Sequence, residues 1–401
     1  MTGTDIERFI AELQSSELTR RRLLRRAGAG ALGLSVAGLL AACGDDDGGL
    51  SGGGKEDTTP IPKGQISKTV VFANWPYYMD VKGNRNPTLD QFEKKYGTNV
   101  KYVEEINDNV EFFGKVRQQY ARGDSGGRDL HVVTDWMCAR MKRFGYVQKL
   151  DKSAMPNVEK NLDPAVGSPD FDPNREYSVP WQTGQVIVIY RKDKTGGDLT
   201  SVNDLFNPKF KGKVTMLTEM RDTVGSVLLA DGVEPEKASL DQVMEAIDKI
   251  EKATKDGQIR KFTGNEYTRD ILRGDSHAIL GWSGDAVQLT ADNKNVAYKQ
   301  PEEGFMVFTD SMQIPVGAPH AFTAEKLIDF YYEPQIAAQL TAYLAYVPPV
   351  KGAREILAKS DSELAESPLV FPDLSKAHNF KTFPSEEEAQ IDAAFQRASG
   401  V

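Results

Sequence analysis

Three of the four tryptophans in this 401-residue chain, Trp75, Trp136 and Trp282, fall where an apolar, strand-like run gives out. Acidic residues accompany them: Glu219 and Asp222 in LTEMRDTVG, Asp285 in WSGD and Asp310 in FTDSMQIP. An indole face attracts an ammonium by about 0.5 to 2 kcal/mol, and a carboxylate adds a charge-assisted hydrogen bond. An ammonium leaves water only where such partners replace it. Acids beside aromatics at strand ends therefore read as a box for an organic cation. A lone tryptophan is more often a core residue, as expected of Trp181 at the head of the run VIVIY.

The stretch ILGWSGDAVQL, around Ser283, also invites a second chemistry. Gly281, Ser283 and Gly284 approach the nucleophile elbow of a hydrolase, with His277 just upstream. The elbow needs G-x-S-x-G, however, and Asp285 stands where its last glycine belongs. His277 is also too near in sequence to arrive as a triad base does. A secreted serine hydrolase is thus the remote alternative, and no enzyme activity is expected. Ser283 and Gly284 read instead as a tight turn presenting Trp282 and Asp285. Asp285 then either meets a ligand or caps the helix that follows.

The bulk composition narrows the partners. The chain is 40% apolar and 27% charged, with a formal net charge of −9. That is globular composition with material for two lobes. The acidic balance argues against nucleic acid, which needs clustered Lys and Arg. Two cysteines, Cys43 and Cys138, and four scattered histidines offer no metal-site spacing, so neither metal nor cofactor is expected.

Near the N-terminus, TRRRLLRR precedes the uncharged run from Ala27 to Ala42, which ends in LAAC. The run is short for a membrane span and suits a signal segment. LAAC resembles the lipobox of bacterial lipoproteins, and TRRRLLR resembles a twin-arginine export signal. The resemblance implies cleavage before Cys43, lipidation of its sulfur and an extracytoplasmic, membrane-anchored protein. Residues 43–67, rich in Gly and Asp, read as a flexible tether.

From Lys68 the pattern alternates. KTVVFANW, TNVKYVEE and RDLHVVT read as strands, with NPTLDQFEKKYG and NVEFFGKVRQQYARG as helices between them. GKVTML, SLDQVMEAIDKIEKATKDG, EYTRDILRG and SHAILGW continue in the same style. This predicts an α/β fold of parallel strands covered by helices, with ligands at the carboxyl ends of the strands. The two Arg-Gly-Asp-Ser sequences, at Arg122 and Arg273, read as helix stops with glycine in the left-handed position.

Taken in order, VVFANWPYYMD, QKLDKSAMPN, NLDPAV, FDPNREYSVPW, LFNPKFKGKV and TDSMQIP resemble phrases of the bacterial spermidine/putrescine-binding proteins of ABC transporters. The resemblance implies a two-lobed periplasmic-binding-protein fold of type II, with crossover strands as a hinge. It places residues 68–179 plus 309–355 in the first lobe and 180–308 plus 356–401 in the second, after a signal peptide at 1–42. It implies a polyamine site of Trp75, Tyr78, Thr134, Trp136, Glu219, Asp222, Trp282, Phe308, Asp310 and Tyr346. Asp285 matches an acid of the putrescine-selective branch. Pro76 and Phe308 depart from the family, which commonly has Thr or Ser and Trp there. The implied partners are a membrane permease and its ATPase, with the binding protein a monomer. The alternative is a protein of the same fold for another cationic or small organic solute.

Overall fold

The computed structural model describes residues 64–166 and 168–400. The expected signal segment, Cys43 and nearly all of the expected tether lie outside the described residues. Within them, no helix is long and apolar enough to cross a membrane.

The chain opens with β1 (Thr69–Asn74), α1 (Pro87–Tyr96), β2 (Asn99–Glu104), α2 (Asn109–Tyr120), β3 (Leu130–Thr134) and α3 (Asp135–Arg143). Local signals set these boundaries. Pro87 begins α1, where a missing N–H costs nothing, and Gly97 ends it in the left-handed region at φ +68°. The Asp108 carboxylate accepts the first free N–H groups of α2, from Val110 and Glu111. Strand β1 pairs in parallel with both β2 and β3. It is apolar along nearly its whole length, as a strand covered on both faces must be.

A fully buried thirteen-residue strand follows, β4 (Val179–Arg191). After it come β5 (Val214–Leu217), α4 (Met220–Ala230), α5 (Leu240–Lys255), β6 (Ile259–Thr263), α6 (Tyr267–Arg273), β7 (Ala278–Trp282) and α7 (Ser283–Asp292). Then come β8 (Val296–Lys299), β9 (Phe305–Gln313), α8 (Ala321–Tyr331), α9 (Pro334–Leu344), α10 (Ala353–Ser360), β10 (Ala377–His378) and α11 (Ser385–Ser399). The helix stop at Gly274 has φ +80°, as its Arg-Gly-Asp sequence predicts, and Gly123 has φ +74°.

The strands run in the order β2-β1-β3-β9-β4-β7-β5-β6. The outer strands are parallel, as the alternation predicts, but β4 and β9 are antiparallel to each other. The reason is topological: β4 leaves the first sheet for the second and β9 returns. The first half of β4 pairs with β9 and its second half with β7, while the end of β9 pairs with β3. One apolar core gathers around Val70, Phe72, Leu130, Ile328 and Leu340, a second around Val188, Val214, Val227, Ile247 and Leu280, and a smaller third around Phe112, Val133, Met137 and Met141. Trp181 belongs to the first, packed on Phe72 and Tyr331. Trp282 and Phe308 touch the first and the second, so they mark the seam between the lobes.

Candidate functional site

A cleft of about 830 Å³ opens at that seam. Trp75 and Tyr78 enter it from the turn after β1, Thr134 and Trp136 from the junction of β3 and α3. Glu219 and Asp222 enter from the junction of β5 and α4, Trp282 from the end of β7, Phe308 and Asp310 from β9, and Tyr346 from the turn after α9. Of the eleven residues the sequence nominates, only Asp285 is not among those lining the cleft. Parallel strands bring their carboxyl ends to one edge, which is why residues so far apart in sequence meet there.

The aromatic members form a continuous arc. Ring centroids lie 5.2 Å apart for Tyr78 and Tyr346, 6.4 Å for Tyr346 and Phe308, and 6.2 Å for Phe308 and Trp282. Two glycines make room for it. A Cβ at Gly184 would overlap the Phe308 ring, and one at Gly284 would overlap Tyr346. Among the described residues, the non-glycine positions with positive φ are Tyr77 at 61°, Arg175 at 48° and Ala345 at 58°. Tyr77 and Ala345 each precede a cleft tyrosine, and Arg175 lines the cleft itself. Strained backbone that concentrates in this way is characteristic of a ligand site.

Neutral donors hold the carboxylates. Asp310 accepts hydrogen bonds from the Tyr78 hydroxyl and from Thr134 Oγ1, each at 2.8 Å. Asp222 accepts from Trp282 Nε1 at 2.8 Å, and Glu219 from Asn109 Nδ2 at 3.0 Å. Asp222 and Asp310 are buried and Glu219 is half-buried. Loss of water pushes the Asp310 carboxyl up to about 6. Desolvation, chiefly, also holds the Glu219 and Asp222 carboxyls well above the usual range, and the Asp222 charge raises Glu219 further.

The cations nearby make their ion pairs elsewhere, although the Arg221 charge still acts on Glu219 and Asp222. Arg221 donates to Glu388 at 2.7 Å, and Arg175 donates to both oxygens of Asp135 at 3.3 and 3.2 Å. Among the described residues, no Lys or Arg forms an ion pair with Glu219, Asp222 or Asp310. Among the described residues, no histidine or cysteine lines the cleft. No group of three or more His, Cys, Asp and Glu residues is disposed to hold a metal ion among the described residues.

Ser283 does not act as a nucleophile elbow would require. It is fully buried, and its Oγ accepts the N–H of Gln185 in the crossing strand at 3.2 Å. Ser283 and Gly284 open helix α7 rather than forming the expected tight turn. The Asp285 carboxylate accepts from the Tyr267 hydroxyl at 2.7 Å and from Asn265 Nδ2 at 3.1 Å, behind the Trp282 wall. The sequence reading missed Asn109, Asn265 and Arg175 on the cleft wall, as well as Phe171, Leu374 and Phe380 toward its mouth. A polar residue following an N-cap is the one signal that Asn109 carried. The others arrive by tertiary packing alone.

Comparison with known proteins agrees with this architecture. The model of the family described as bacterial extracellular solute-binding protein matches residues 88–372, well over half of the chain. The spermidine/putrescine-binding periplasmic protein of Escherichia coli (strain K12) is 26% identical over 314 residues, covering 78% of this chain and 86% of that one. The putrescine-binding periplasmic protein PotF of the same organism is 26% identical over 325 residues, 76% of this chain and 83% of its own length. Among solved structures, a putative spermidine/putrescine ABC transporter protein from Listeria monocytogenes superposes with a TM-score of 0.72 at 25% identity, covering 83% of this chain and 99% of that one. The Tp0655 lipoprotein of Treponema pallidum shares the fold, with a TM-score of 0.71 at 21% identity over 83% of this chain and all of that one. The two lobes, the crossing strands and the family match together identify the chain as a member of the bacterial extracellular solute-binding protein family.

Proposed function

We propose that this protein is the capture component of an ABC importer for linear polyamines of the putrescine and spermidine class. One observation carries the reading: three carboxylates converge in an aromatic cleft, and among the described residues none of them forms an ion pair with a Lys or Arg. Buried carboxylates are costly unless a positive charge joins them, and an alkyl diammonium supplies that charge at both ends. Its methylene chain would lie along the Trp282, Phe308 and Tyr346 rings. One ammonium would meet Asp310, and the other would meet Asp222 and Glu219. A neutral or acidic solute would bring these carboxyls no ion-pair partner.

The lobes would close about β4 near residues 183–185 and about β9 near 308–310, where both strands change sheets, close to the divisions at 179/180 and 308/309 that the sequence reading places. Only a ligand that binds the closed form more tightly than the open one can drive that motion. The closed form would dock on a permease whose ATPase powers import, while lipidated Cys43 keeps the protein at the outer face of the membrane. No covalent chemistry is assigned to the cleft. Calorimetry with putrescine, spermidine and spermine tests the assignment. Binding and thermal stabilisation are expected for at least one, and their absence with all three would remove polyamines from consideration.

A further inference from the structure

Trp282 is held at one end by the Asp222 carboxylate in the cleft and at the other by a tyrosine hydroxyl that leads to a second carboxylate, Asp285. Its indole Nε1 donates to Asp222 at 2.8 Å. Its backbone N–H donates to the Tyr267 hydroxyl at 2.9 Å, and that hydroxyl donates in turn to Asp285 Oδ2 at 2.7 Å. Tyr267 is fully buried and Asp285 nearly so. The Tyr267 and Trp282 rings pack with centroids 5.9 Å apart, and Gly281 leaves room for the tyrosine, since a Cβ there would press on its ring.

A phenol has one proton to give. With that proton committed to Asp285, the oxygen lone pairs are available to the Trp282 N–H at the point where β7 ends and α7 begins. Burial and the Asp285 charge both push the Tyr267 phenol up, so it remains a donor. Without an acceptor at Asp285 the hydroxyl is free to turn, and the Trp282 N–H loses a fixed partner.

We infer that Asp285 is a positioning residue rather than a ligand carboxylate: acting through Tyr267, it sets the Trp282 backbone and with it the platform ring that orients Asp222. This deepens the cleft assignment proposed above and rests on it for the ligand, but the orientation of Trp282 can be read without any ligand. Sequence position alone points the other way, because an acid three residues after a cleft tryptophan looks like a ligand group.

The test separates charge from acceptor. Asp285→Asn keeps an oxygen for the Tyr267 hydroxyl and removes the charge, Asp285→Ala removes both, and Tyr267→Phe breaks the relay at its middle. Near-ultraviolet circular dichroism of the ligand-free protein, with Trp282→Phe defining the Trp282 band, reports the ring's environment. The band should persist in Asp285→Asn and fade in Asp285→Ala and Tyr267→Phe. With putrescine and spermidine as probes, Asp285→Asn should bind within about twofold of the parent. Asp285→Ala and Tyr267→Phe should each lose roughly tenfold, and the double variant no more than either alone.

A loss in Asp285→Asn as large as that in Asp222→Asn would make Asp285 a ligand group and overturn the inference. An unchanged Trp282 band in both Asp285→Ala and Tyr267→Phe would overturn it too. If Asp285→Ala does not fold, Asp285→Asn and Tyr267→Phe carry the test by themselves. Failure of both polyamines to bind the parent protein would count against the proposed ligand, while the ligand-free band would still decide the role of Asp285.

Discussion

Glu388 and Asp392, on α11, meet three guanidiniums at one side of the cleft, whereas Glu219, Asp222 and Asp310 inside it meet a tyrosine, a threonine, a tryptophan and an asparagine. Glu388 Oε1 lies 2.7 Å from Arg221 and 3.1 Å from Arg140, its Oε2 lies 3.4 Å from Arg143, and Asp392 lies 3.0 Å from Arg140. The ring of Trp136 is flanked by the guanidiniums of Arg221, at 3.7 Å from its centroid, and Arg140, at 5.0 Å. Helix α11 contributes Ile391, Phe395 and Ala398 to the second core, while Arg140 and Arg143 stand on α3, whose Met137 and Met141 pack with Val133 of β3 in the third, on the side of the first lobe. The ion-paired group therefore spans the lobes as a clasp that needs no ligand.

The two acidic groups oppose each other energetically. The clasp gains when the lobes approach, by an amount limited because desolvating its charges offsets much of their attraction. The cleft carboxylates lose hydration when the lobes approach and gain only neutral hydrogen bonds in return, such as that from Asn109 to Glu219. Closure of the empty cleft is thus favoured by one group and resisted by the other. On the function proposed above, a dication would remove the resistance, and its binding energy would become a conformational signal.

The largest test of this contrast removes a cleft charge. Asp222→Asn and Asp310→Asn should each weaken polyamine binding by about 2 to 4 kcal/mol, roughly 30- to 1000-fold, because an ammonium is left buried beside a neutral amide. Titration calorimetry on folded variants decides the matter. Unchanged affinity in both would mean that these carboxylates do not meet the ligand.

Acidity provides the next test. The Asp310 carboxyl titrates near 6 in the folded protein, and those of Glu219 and Asp222 are also raised, against an unfolded value of about 4. Between those values the folded state holds protons that the unfolded chain has lost. The contribution of these groups to the stability of the ligand-free protein should therefore be fully present at and below the unfolded value and be lost as pH rises through the folded ones. Polyamine affinity should move the opposite way, rising by up to about tenfold per pH unit for each proton displaced and levelling once the carboxyls are ionised. Thermal shift with and without spermidine between pH 5 and pH 9 reads both slopes; ligand stabilisation that does not vary with pH would show that the cleft binds no ligand at the expense of protons.

How far these groups could be read from sequence differs for physical reasons. Glu219 and Asp222 lie in one short segment at a strand end, so topology alone delivers them to the cleft. Glu388 and Asp392 lie in PSEEEAQID, which looks like any solvated, acidic helix start; only the packing of α11 on α5 brings them to Arg140. The crossing role of β4 was similarly hidden. Its run VIVIY is plainly apolar, but Gln182, Thr183 and Gln185 look like loop residues until their partners are seen. Gln182 Nε2 donates to the Tyr331 hydroxyl at 3.1 Å, and Gln185 Nε2 donates to the Leu369 carbonyl at 3.0 Å. The place of Asp285 was legible and its direction was not, because Tyr267 comes from a different element.

The clasp should respond more weakly than the cleft, and unevenly among its members. Glu388→Gln leaves Arg140, Arg143 and Arg221 with one carboxylate fewer, so it should lower polyamine affinity by about 1 kcal/mol, roughly fivefold. Small-angle scattering of the ligand-free variant should show a more open average shape. Replacing a single guanidinium should cost less, in proportion to how well each is held. The side chain of Arg140 is 12% exposed and reaches both Glu388 and Asp392, while that of Arg143 is 45% exposed and reaches Glu388 only at 3.4 Å. An exposed pair of that kind contributes little, because water and salt screen it and two long side chains must be ordered to form it. Arg143→Gln is therefore expected to bind within about twofold of the parent, and Arg140→Gln to fall between it and Glu388→Gln. Were Arg143→Gln to match Glu388→Gln, the pairs would be acting through net charge near the cleft mouth rather than through contact between the lobes, and raising the salt concentration would then erase both effects equally.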